Sequence, residues 1–315
     1  MAKLTILFAV LVSLSFTGCV SMGPWTVARD RFDYAAAISE SWKSQTLLNL
    51  VKIRYADAPV FLDVASVINQ YALAAQLGFE LGWFFPPSSN SQTVTGTGAY
   101  AEKPTITYSP LMGGKFTQVL MTPIPPAALF SLIQANYPVP FLFQLCVKAI
   151  NGIYNRTGGQ LQVRRADPDF YALLEAFQRI QRAGAIGLRV EGAKGETVLV
   201  VFGRQTDAAI EADRQFIRKT LGLNPDATEF QLAFGSLAKN DREIAVLTRS
   251  MLEILAELAS TIEVPAADVK EQWVLPTLSE DAEAGPYATP LLQVHSGGAR
   301  PAYAFVAVPY HNSWF

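Results

Sequence analysis

The chain has 315 residues and a formal net charge of −2, from 25 Lys and Arg and 27 Asp and Glu. Removal of an N-terminal signal that carries one lysine leaves 24 basic and 27 acidic residues, a charge of −3. This balance excludes nucleic acid as a partner, because nucleic-acid binding requires a basic face that neutralises phosphates. Half of the residues are hydrophobic, enough for a large core, and no later segment predicts a membrane-spanning helix.

Residues 1–18 are predicted to be a secretory signal, with a basic start at Lys3 and an apolar run over 4–14 that is too short for a permanent membrane anchor. The segment and the residue after it end in Phe16-Thr17-Gly18-Cys19. Two small residues before a cysteine resemble the bacterial lipobox, in which the thiol is diacylated and the chain is cut just before it. Phe16 departs from the usual leucine. The alternative is an ordinary secretory peptide that happens to contain Cys19.

The lipobox resemblance implies that Cys19 is the acylated N-terminus of the mature protein, whose lipid, palmitate included, holds it on a membrane. Val20 follows Cys19 where an aspartate commonly retains lipoproteins at the inner membrane, which implies transport to the outer membrane, facing the periplasm. The covalent lipid is the only cofactor expected. Cys146 then has no intramolecular partner, and its apolar neighbours indicate a buried, unreactive thiol.

The first elements after the signal are a tether, a helix and a strand. Residues 19–30 are predicted to be a lipidated tether in which Gly23-Pro24 prevents regular structure. Ten extended residues reach only about 30 Å, so the folded body is expected close to its membrane. Apolar residues at three- or four-residue spacing predict a helix over 33–55, and alternation with β-branched residues predicts a strand over 60–73.

Residues 82–103 stand out as a polar insertion. An aromatic group and two prolines precede residues 88–98, which are almost wholly Ser, Thr, Gly, Asn and Gln. One interpretation is a surface loop or a hairpin that contributes little to a core. The other is an insertion whose aromatic residues contact a partner, a ligand or a membrane interface. The contact set in that case is Trp83, Phe84, Phe85 and Tyr100.

The rest of the chain predicts interspersed helices and strands. A strand over 105–108 is expected to pair with residues 116–121, ahead of a helix from Ala127. Asp167, Asp207 and either Thr248 or Ser250 are suited to cap helices. The remaining predictions are a hairpin over 186–202, a strand over 230–234, a helix closed by Pro265, and late strands over 291–295 and 303–308.

The predicted helices and strands do not alternate in regular βαβ units, which indicates an α+β fold with mostly antiparallel hairpins. We expect an N-terminal half over 31–160 and a C-terminal half over 161–315, or one continuous domain.

Candidate catalytic groups are incomplete. Ser236-Leu237-Ala238-Lys239 matches the S-x-x-K pattern of penicillin-binding proteins and β-lactamases, but no K-T-G follows it. His295-Ser296 with Asp268 lacks a nucleophile elbow. With two histidines in the chain, a metal site built of imidazoles is not expected.

Several motifs are spread over the mature chain. They are Arg54-Tyr55 with Pro59-Val60-Phe61-Leu62-Asp63-Val64, Pro104-Thr105-Ile106-Thr107-Tyr108, Thr122-Pro123-Ile124-Pro125-Pro126, Thr248-Arg249-Ser250, and 295–301. Together they resemble a family of bacterial lipoproteins with no assigned activity, which implies a lipid-anchored envelope protein. Members of that family continue past an aromatic pair like Trp314-Phe315, so the resemblance implies that this chain is truncated or divergent there.

The anchor and the incomplete catalytic groups favour a non-enzymatic accessory or scaffold subunit of an envelope assembly. Its expected partners are the membrane, through the lipid, and other envelope proteins or further copies of itself. The alternative is a periplasmic module that binds a small apolar ligand or a glycan. A third hypothesis is a serine-dependent hydrolase at Ser236 and Lys239.

Overall fold

A computed structural model describes residues 23–82, 91–158, 164–191, 197–203, 207–277, 287 and 289–315. Helices alternate with strands that pair mostly antiparallel, which confirms the predicted α+β class. The described helices are α1 (Gly23–Arg54), α2 (Gly114–Met121), α3 (Pro126–Gln134), α4 (Val139–Cys146), α5 (Pro168–Arg182), α6 (Ala208–Thr220), α7 (Met251–Ser260) and α8 (Ala266–Lys270).

The described strands fall into four sheets. They are β1 (Leu62–Ile68), β2 (Tyr71–Gly82), β3 (Ser91–Glu102), β4 (Thr105–Pro110), β5 (Val147–Ile150), β6 (Ile153–Tyr154), β7 (Ile186–Glu191), β8 (Thr197–Phe202), β9 (Glu229–Phe234), β10 (Glu243–Thr248), β11 (Pro309–Tyr310) and β12 (Ser313–Trp314).

The largest sheet has the strand order β6-β5-β10-β9-β8-β7, with β9 and β10 parallel and its other pairs antiparallel. Its strands come from both of the predicted halves of the chain, 31–160 and 161–315. The main core combines buried residues of this sheet with buried residues of α3, α4 and α5. A second core joins the C-terminal part of α1 to α7 and to the C-terminal segment, through residues such as Val51, Ala259 and Phe315.

Helix α1 corrects the prediction of an irregular tether. The helix begins at Gly23, inside the segment where Gly23-Pro24 was expected to prevent regular structure. Proline is well tolerated in the first turn of a helix, because the N–H that it lacks has no partner there. The 32 residues of α1 span about 48 Å. Leu47, Leu50 and Val51 near its C-terminal end are buried, whereas most described residues before position 44 are exposed or half-buried.

The three predicted helix caps have different outcomes. Asp207 accepts a hydrogen bond from Ala209 N, and Ser250 forms a capping box with Glu253. Asp167 occupies the N-cap position of α5 but makes no capping hydrogen bond, so that prediction is wrong. Its carboxylate instead accepts a hydrogen bond from Tyr154 N at 2.8 Å and pairs with Arg164. These partners take the oxygen atoms that the first turn of α5 would use.

The strand predicted over 116–121 is wrong, because these residues belong to helix α2. Strand β4, which was expected to pair with them, pairs with β1 instead. Phe116 and Leu120 are the half-buried positions of α2, four residues apart as one helix face requires. The Phe116 ring packs against Phe61 with 5.6 Å between ring centroids.

The late strands predicted over 291–295 and 303–308 are also wrong, since the described C-terminal strands are the two-residue β11 and β12. Val294 and Val308 are buried in the second core. The apolar alternation therefore reflects packing rather than a hydrogen-bonded ladder.

Candidate functional site

Several predicted site residues lie outside the described part of the chain, namely Cys19, Trp83, Phe84 and Phe85. Tyr100 lies on β3, opposite Leu73. The polar run that was predicted as a loop or a hairpin is a hairpin strand over its described residues, because 91–98 belong to β3.

The candidate catalytic residues do not form a site among the described residues. Ser236 and Lys239 follow β9, and Lys239 N donates to Glu243 Oε1. His295 Nδ1 lies 3.0 Å from Glu263, while Asp268 accepts a hydrogen bond from Tyr55. His295 and Asp268, the residues of the incomplete triad, thus contact different partners.

Cys146 is buried, as predicted, and burial raises the pKa of its thiol. Over the described ranges, no cluster of three or more His, Cys, Asp or Glu residues could hold a metal ion. None of the described helices is long and apolar enough to cross a membrane.

Among the described residues, the most buried charged group is Arg249. Its Nη1 donates to the carbonyl oxygens of Gln144 and Leu145 at 2.8 and 3.1 Å, and its Nη2 donates to Arg156 O and to Glu257 Oε2. Glu257 also accepts hydrogen bonds from Arg156 Nε at 3.1 Å and from Gly158 N at 2.6 Å. Burial lowers the pKa of Arg249, and the negative charge of Glu257 opposes that effect.

This cluster holds the C-terminal end of α4. Carbonyl groups at the end of a helix lack intrahelical partners and carry the negative end of the helix dipole. Arg249 donates to two of these carbonyl oxygens. Asn155 Nδ2 donates to the carbonyl oxygens of Phe143, Gln144 and Val147. In addition, the main-chain N–H of Arg249 donates a hydrogen bond to Cys146 O at 2.7 Å. These contacts give the buried charges of Arg249 and Glu257 a structural role.

A cleft beside this cluster is lined in part by Arg156, Glu257, Tyr171 and Tyr287. Its cavity volume is about 40 Å³, whereas sites for drug-sized ligands measure roughly 300–1,000 Å³. The cleft has room for ordered water rather than for a drug-sized ligand.

An aromatic group surrounds the C-terminal end of α1. The Tyr55 ring stacks on His311, with 5.6 Å between ring centroids, and meets the edge of Phe315. Tyr55 donates to Asp268 at 2.5 Å, and Tyr310 donates to Asp57 at 3.2 Å. Burial, with the nearby Asp57, raises the pKa of Tyr310 to about 12.

We expect Tyr310 to make stability fall at alkaline pH. A raised pKa means that folding favours the neutral phenol, so the contribution is complete below about pH 10, the pKa of a free tyrosine, and is lost as pH rises towards 12. Urea unfolding between pH 9 and 12 should show a shallower decline for Tyr310→Phe than for the parent. Tyr303→Phe, at a side chain that is 98% exposed, is the control. Equal declines in all three proteins would contradict the prediction.

A two-stranded ribbon lies along α1, and no other described strand pairs with its outer edges. We call β1 with β4 the proximal sheet and β2 with β3 the distal ribbon. The pairing of Ile68 with Thr105 and of Tyr71 with Glu102 has the same register, and Lys103 N donates to Gln70 O between the two pairs. The two sheets are therefore one continuous antiparallel ribbon.

The register places apolar residues on one face of this ribbon. In the proximal sheet that face holds Leu62, Val64, Val67, Ile106 and Tyr108. Leu62, Ile106 and Tyr108 are exposed. An isolated pair of strands is marginally stable in water, and contiguous exposed apolar residues mark interaction sites. This face is accordingly a candidate contact surface.

Two amide side chains of α1 hold the start of β1. Asn49 Nδ2 donates to Val60 O and Asn49 Oδ1 accepts from Val60 N, both at 2.8 Å. Gln45 makes the same reciprocal pair with Leu62, at 3.0 and 2.6 Å. Four helical residues rise about 6.0 Å and two strand residues about 6.8 Å, so the spacings match. We call this arrangement the amide clamp.

Contacts with α1 also show the direction of the ribbon. Beyond the clamp, Tyr34 donates to Asn69 at 3.2 Å, and Tyr71 donates to Asp30. As the chain advances from residue 60 to residue 71, its partners on α1 recede from residue 49 to residue 30. The ribbon thus runs antiparallel to α1, and β2 starts beside the N-terminal part of that helix.

The outer edge of β4 is short and uncharged. Within the described chain β4 pairs with β1 alone, and Lys103 N and Leu111 N both donate towards β1. Hydrogen bonding alternates along a strand, so Ile106 and Tyr108 direct their N–H groups away from β1. The next outward positions are Pro104 and Pro110, which have no N–H.

Sequence reasoning missed the amide clamp and the Arg249 cluster. Gln45 and Asn49 have the four-residue spacing of a single helix face, which was a usable signal. Arg249 lies in a motif quoted for the family resemblance, but its carbonyl partners are 93 to 105 residues away in the chain. Comparisons of the chain with protein families, with curated proteins and with solved structures found no match.

Proposed function

We propose that this protein is a lipid-anchored, non-enzymatic scaffold subunit of the cell envelope that associates with further copies of itself through the outer edge of β4. Cys19 supplies the anchor, and the outer membrane, facing the periplasm, is the proposed location. The observation that carries the proposal is that no other described strand pairs with the outer edge of β4, which lies beside an exposed apolar face. Free strand edges pair readily with other strands.

A second copy fits this edge because the edge is self-complementary. Antiparallel pairing centred on Thr107 places each Ile106 opposite the Tyr108 of the other copy. These residues carry the outward N–H groups, so four main-chain hydrogen bonds form, and Pro104 and Pro110 stop the ladder at both ends. Residues 104–114 contain no charged side chain, so two copies do not repel each other there. Pairs of β-branched and aromatic residues stabilise adjacent strands.

A disulfide test follows from this register. Thr107 is exposed and would face its own copy as a non-hydrogen-bonded pair with Cα atoms about 4.5 Å apart, within the range for a disulfide. Mild oxidation of membranes that contain Thr107→Cys should give a covalent dimer on a non-reducing gel. Cys146 is buried and Cys19 is proposed to be acylated, so the parent chain serves as the blank.

Thr105→Cys is the matched control. In the same register Thr105 faces Ser109 of the other copy, so two cysteines at 105 lie about 13 Å apart along the strands and cannot be bridged. A monomeric Thr107→Cys protein, or equal dimer yields from both variants, would overturn the proposed pairing.

A further inference from the structure

The two faces of the proximal sheet differ in chemistry. On the apolar face, Val64 pairs with Tyr108 and Val67 with Ile106, and no paired position carries a charge. The register shift between Val64 and Ser66 keeps these residues on one side. Successive residues of a strand lie on opposite faces. The other face, which we call the polar face, holds Asp63, Ser66, Ile68, Thr105, Thr107 and Ser109.

The proximal sheet contacts the second core through its polar face. Leu111 N donates to Phe61 O, so Phe61 continues β1 with its side chain on the face opposite Leu62. The Phe61 ring packs against Phe116 of α2 and against the second core. The apolar face is turned away from these contacts, and on it Ile106 and Tyr108 are 41% and 55% exposed.

The proposed β4 pairing fixes the symmetry of the dimer. Two antiparallel strands that continue one sheet are related by a two-fold axis perpendicular to that sheet. The apolar faces of the two copies therefore lie on the same side, as the pairing of Ile106 with Tyr108 also requires. Because each ribbon runs antiparallel to its own α1, the two α1 helices point in opposite directions along the sheet.

The anchor relates this symmetry to a membrane. Two equivalent acylated Cys19 residues enter one bilayer to the same depth only when the two-fold axis is parallel to the membrane normal. The four-stranded sheet then lies parallel to the bilayer surface, with both α1 helices alongside it. Cys19 lies four residues before α1, a reach of at most about 14 Å, so the start of α1 stays near the bilayer.

We propose that the apolar face of the proximal sheet lies on the surface of the lipid bilayer, an inference that rests on the proposed β4 pairing and the proposed anchor at Cys19. In that orientation one face of the sheet is turned to the lipid. The apolar face has no charge to desolvate, whereas the polar face holds Asp63. Leu62 and Ile106 enter the boundary between headgroups and acyl chains, and Tyr108 keeps its hydroxyl group among the headgroups, as interfacial tyrosines do.

The test compares neighbouring positions of β1 in the full, acylated chain. Leu62→Cys and Val67→Cys probe the apolar face, and Asp63→Cys and Ser66→Cys are the matched positions on the polar face. Each is made in a Cys146→Ala background and labelled with an environment-sensitive fluorophore. The labelled chains are reconstituted into phosphatidylethanolamine and phosphatidylglycerol vesicles, in which some lipids carry a nitroxide quencher at the headgroup or in the middle of the acyl chain.

The probes at 62 and 67 should be quenched severalfold more than the probes at 63 and 66. Headgroup nitroxides should quench 62 and 67 best and to a similar extent, because a sheet parallel to the surface holds both positions at one depth. These positions are five residues apart in the sequence, up to about 17 Å along a strand. An upright sheet would therefore place them at clearly different depths.

Two results would overturn the inference. Equal or stronger quenching at 63 and 66 would mean that the apolar face is not selectively in contact with lipid. Different depths at 62 and 67 would mean that the sheet stands upright in the membrane.

The two supporting proposals are measured separately in the same vesicles. Cross-linking of Thr107→Cys reports the β4 pairing, and the Cys146→Ala chain without an added cysteine takes up label only if Cys19 is not acylated. An acylated chain that cross-links but lacks the alternation refutes the membrane contact alone. Alternation in a chain that does not cross-link supports the membrane contact and refutes the β4 pairing alone.

Discussion

Replacing Arg249 with alanine should lower the free energy of unfolding by about 3–5 kcal/mol, the usual loss when one partner of a buried ion pair is removed. The Arg249 side chain is 2% exposed and Glu257 is 10% exposed. The variant leaves the Glu257 carboxylate with Arg156 and Gly158 N, and it leaves two carbonyl groups at the end of α4 without their donor. Urea unfolding followed by circular dichroism measures the loss.

Arg189→Ala is the matched control, because it removes an arginine from a pair with Glu229 that is 53% and 38% exposed. Surface pairs contribute about 0–1 kcal/mol. Arg249→Lys should lie between the two variants, since an ammonium keeps the charge but cannot reach acceptors on several sides as a guanidinium does. An Arg249→Ala protein as stable as the Arg189→Ala protein would show that the cluster contributes little to stability.

Replacing Cys19 with serine should abolish acylation and block normal processing of the signal. No other residue near the processing site offers a thiol, and stable attachment through lipid requires the acyl chains. Cells that make the parent or the variant would be fed radiolabelled palmitate, and the protein would then be immunoprecipitated. The parent should carry label, and the variant should be unlabelled, with its signal uncut.

Cys146→Ala is the control for that experiment, because it removes the other cysteine of the chain and should keep full label. Equal label on the parent and on Cys19→Ser would refute the anchor. Loss of label from both variants would point to a folding defect upstream of processing.

Local sequence signals sufficed for elements whose cause is local. Asp207 and Ser250 cap α6 and α7 through contacts two or three residues away. The prediction at Asp167 failed because Tyr154 N, 13 residues earlier, competes for its carboxylate. Strand β10 was not predicted because it lies between β5 and β9 and is buried at most positions. A strand buried on both faces loses the alternation that reveals one.

The ribbon formed by β1 to β4 was less predictable from the sequence because it depends on which strands pair and in which register. Residues 91–98 look like a loop, since glycine and threonine give no apolar alternation of their own. Their place in a ribbon becomes evident in the register, which sets Gly96 opposite Leu77 and Val94 opposite Phe79. The apolar alternation that begins at Tyr71 indicates a strand, whereas the aromatic residues 83–85 indicate a contact set and lie outside the described residues.

The amide clamp limits how chain length can vary in this region. Inserting one residue between Gln45 and Asn49 would rotate the second amide by about 100° around α1, so one reciprocal pair would be lost. Inserting one residue between Val60 and Leu62 would turn the following strand to its other face. Residues 55–59 connect the two elements and lie outside the clamp. Natural length differences should therefore accumulate in this connector, where they leave the direction of the ribbon unchanged.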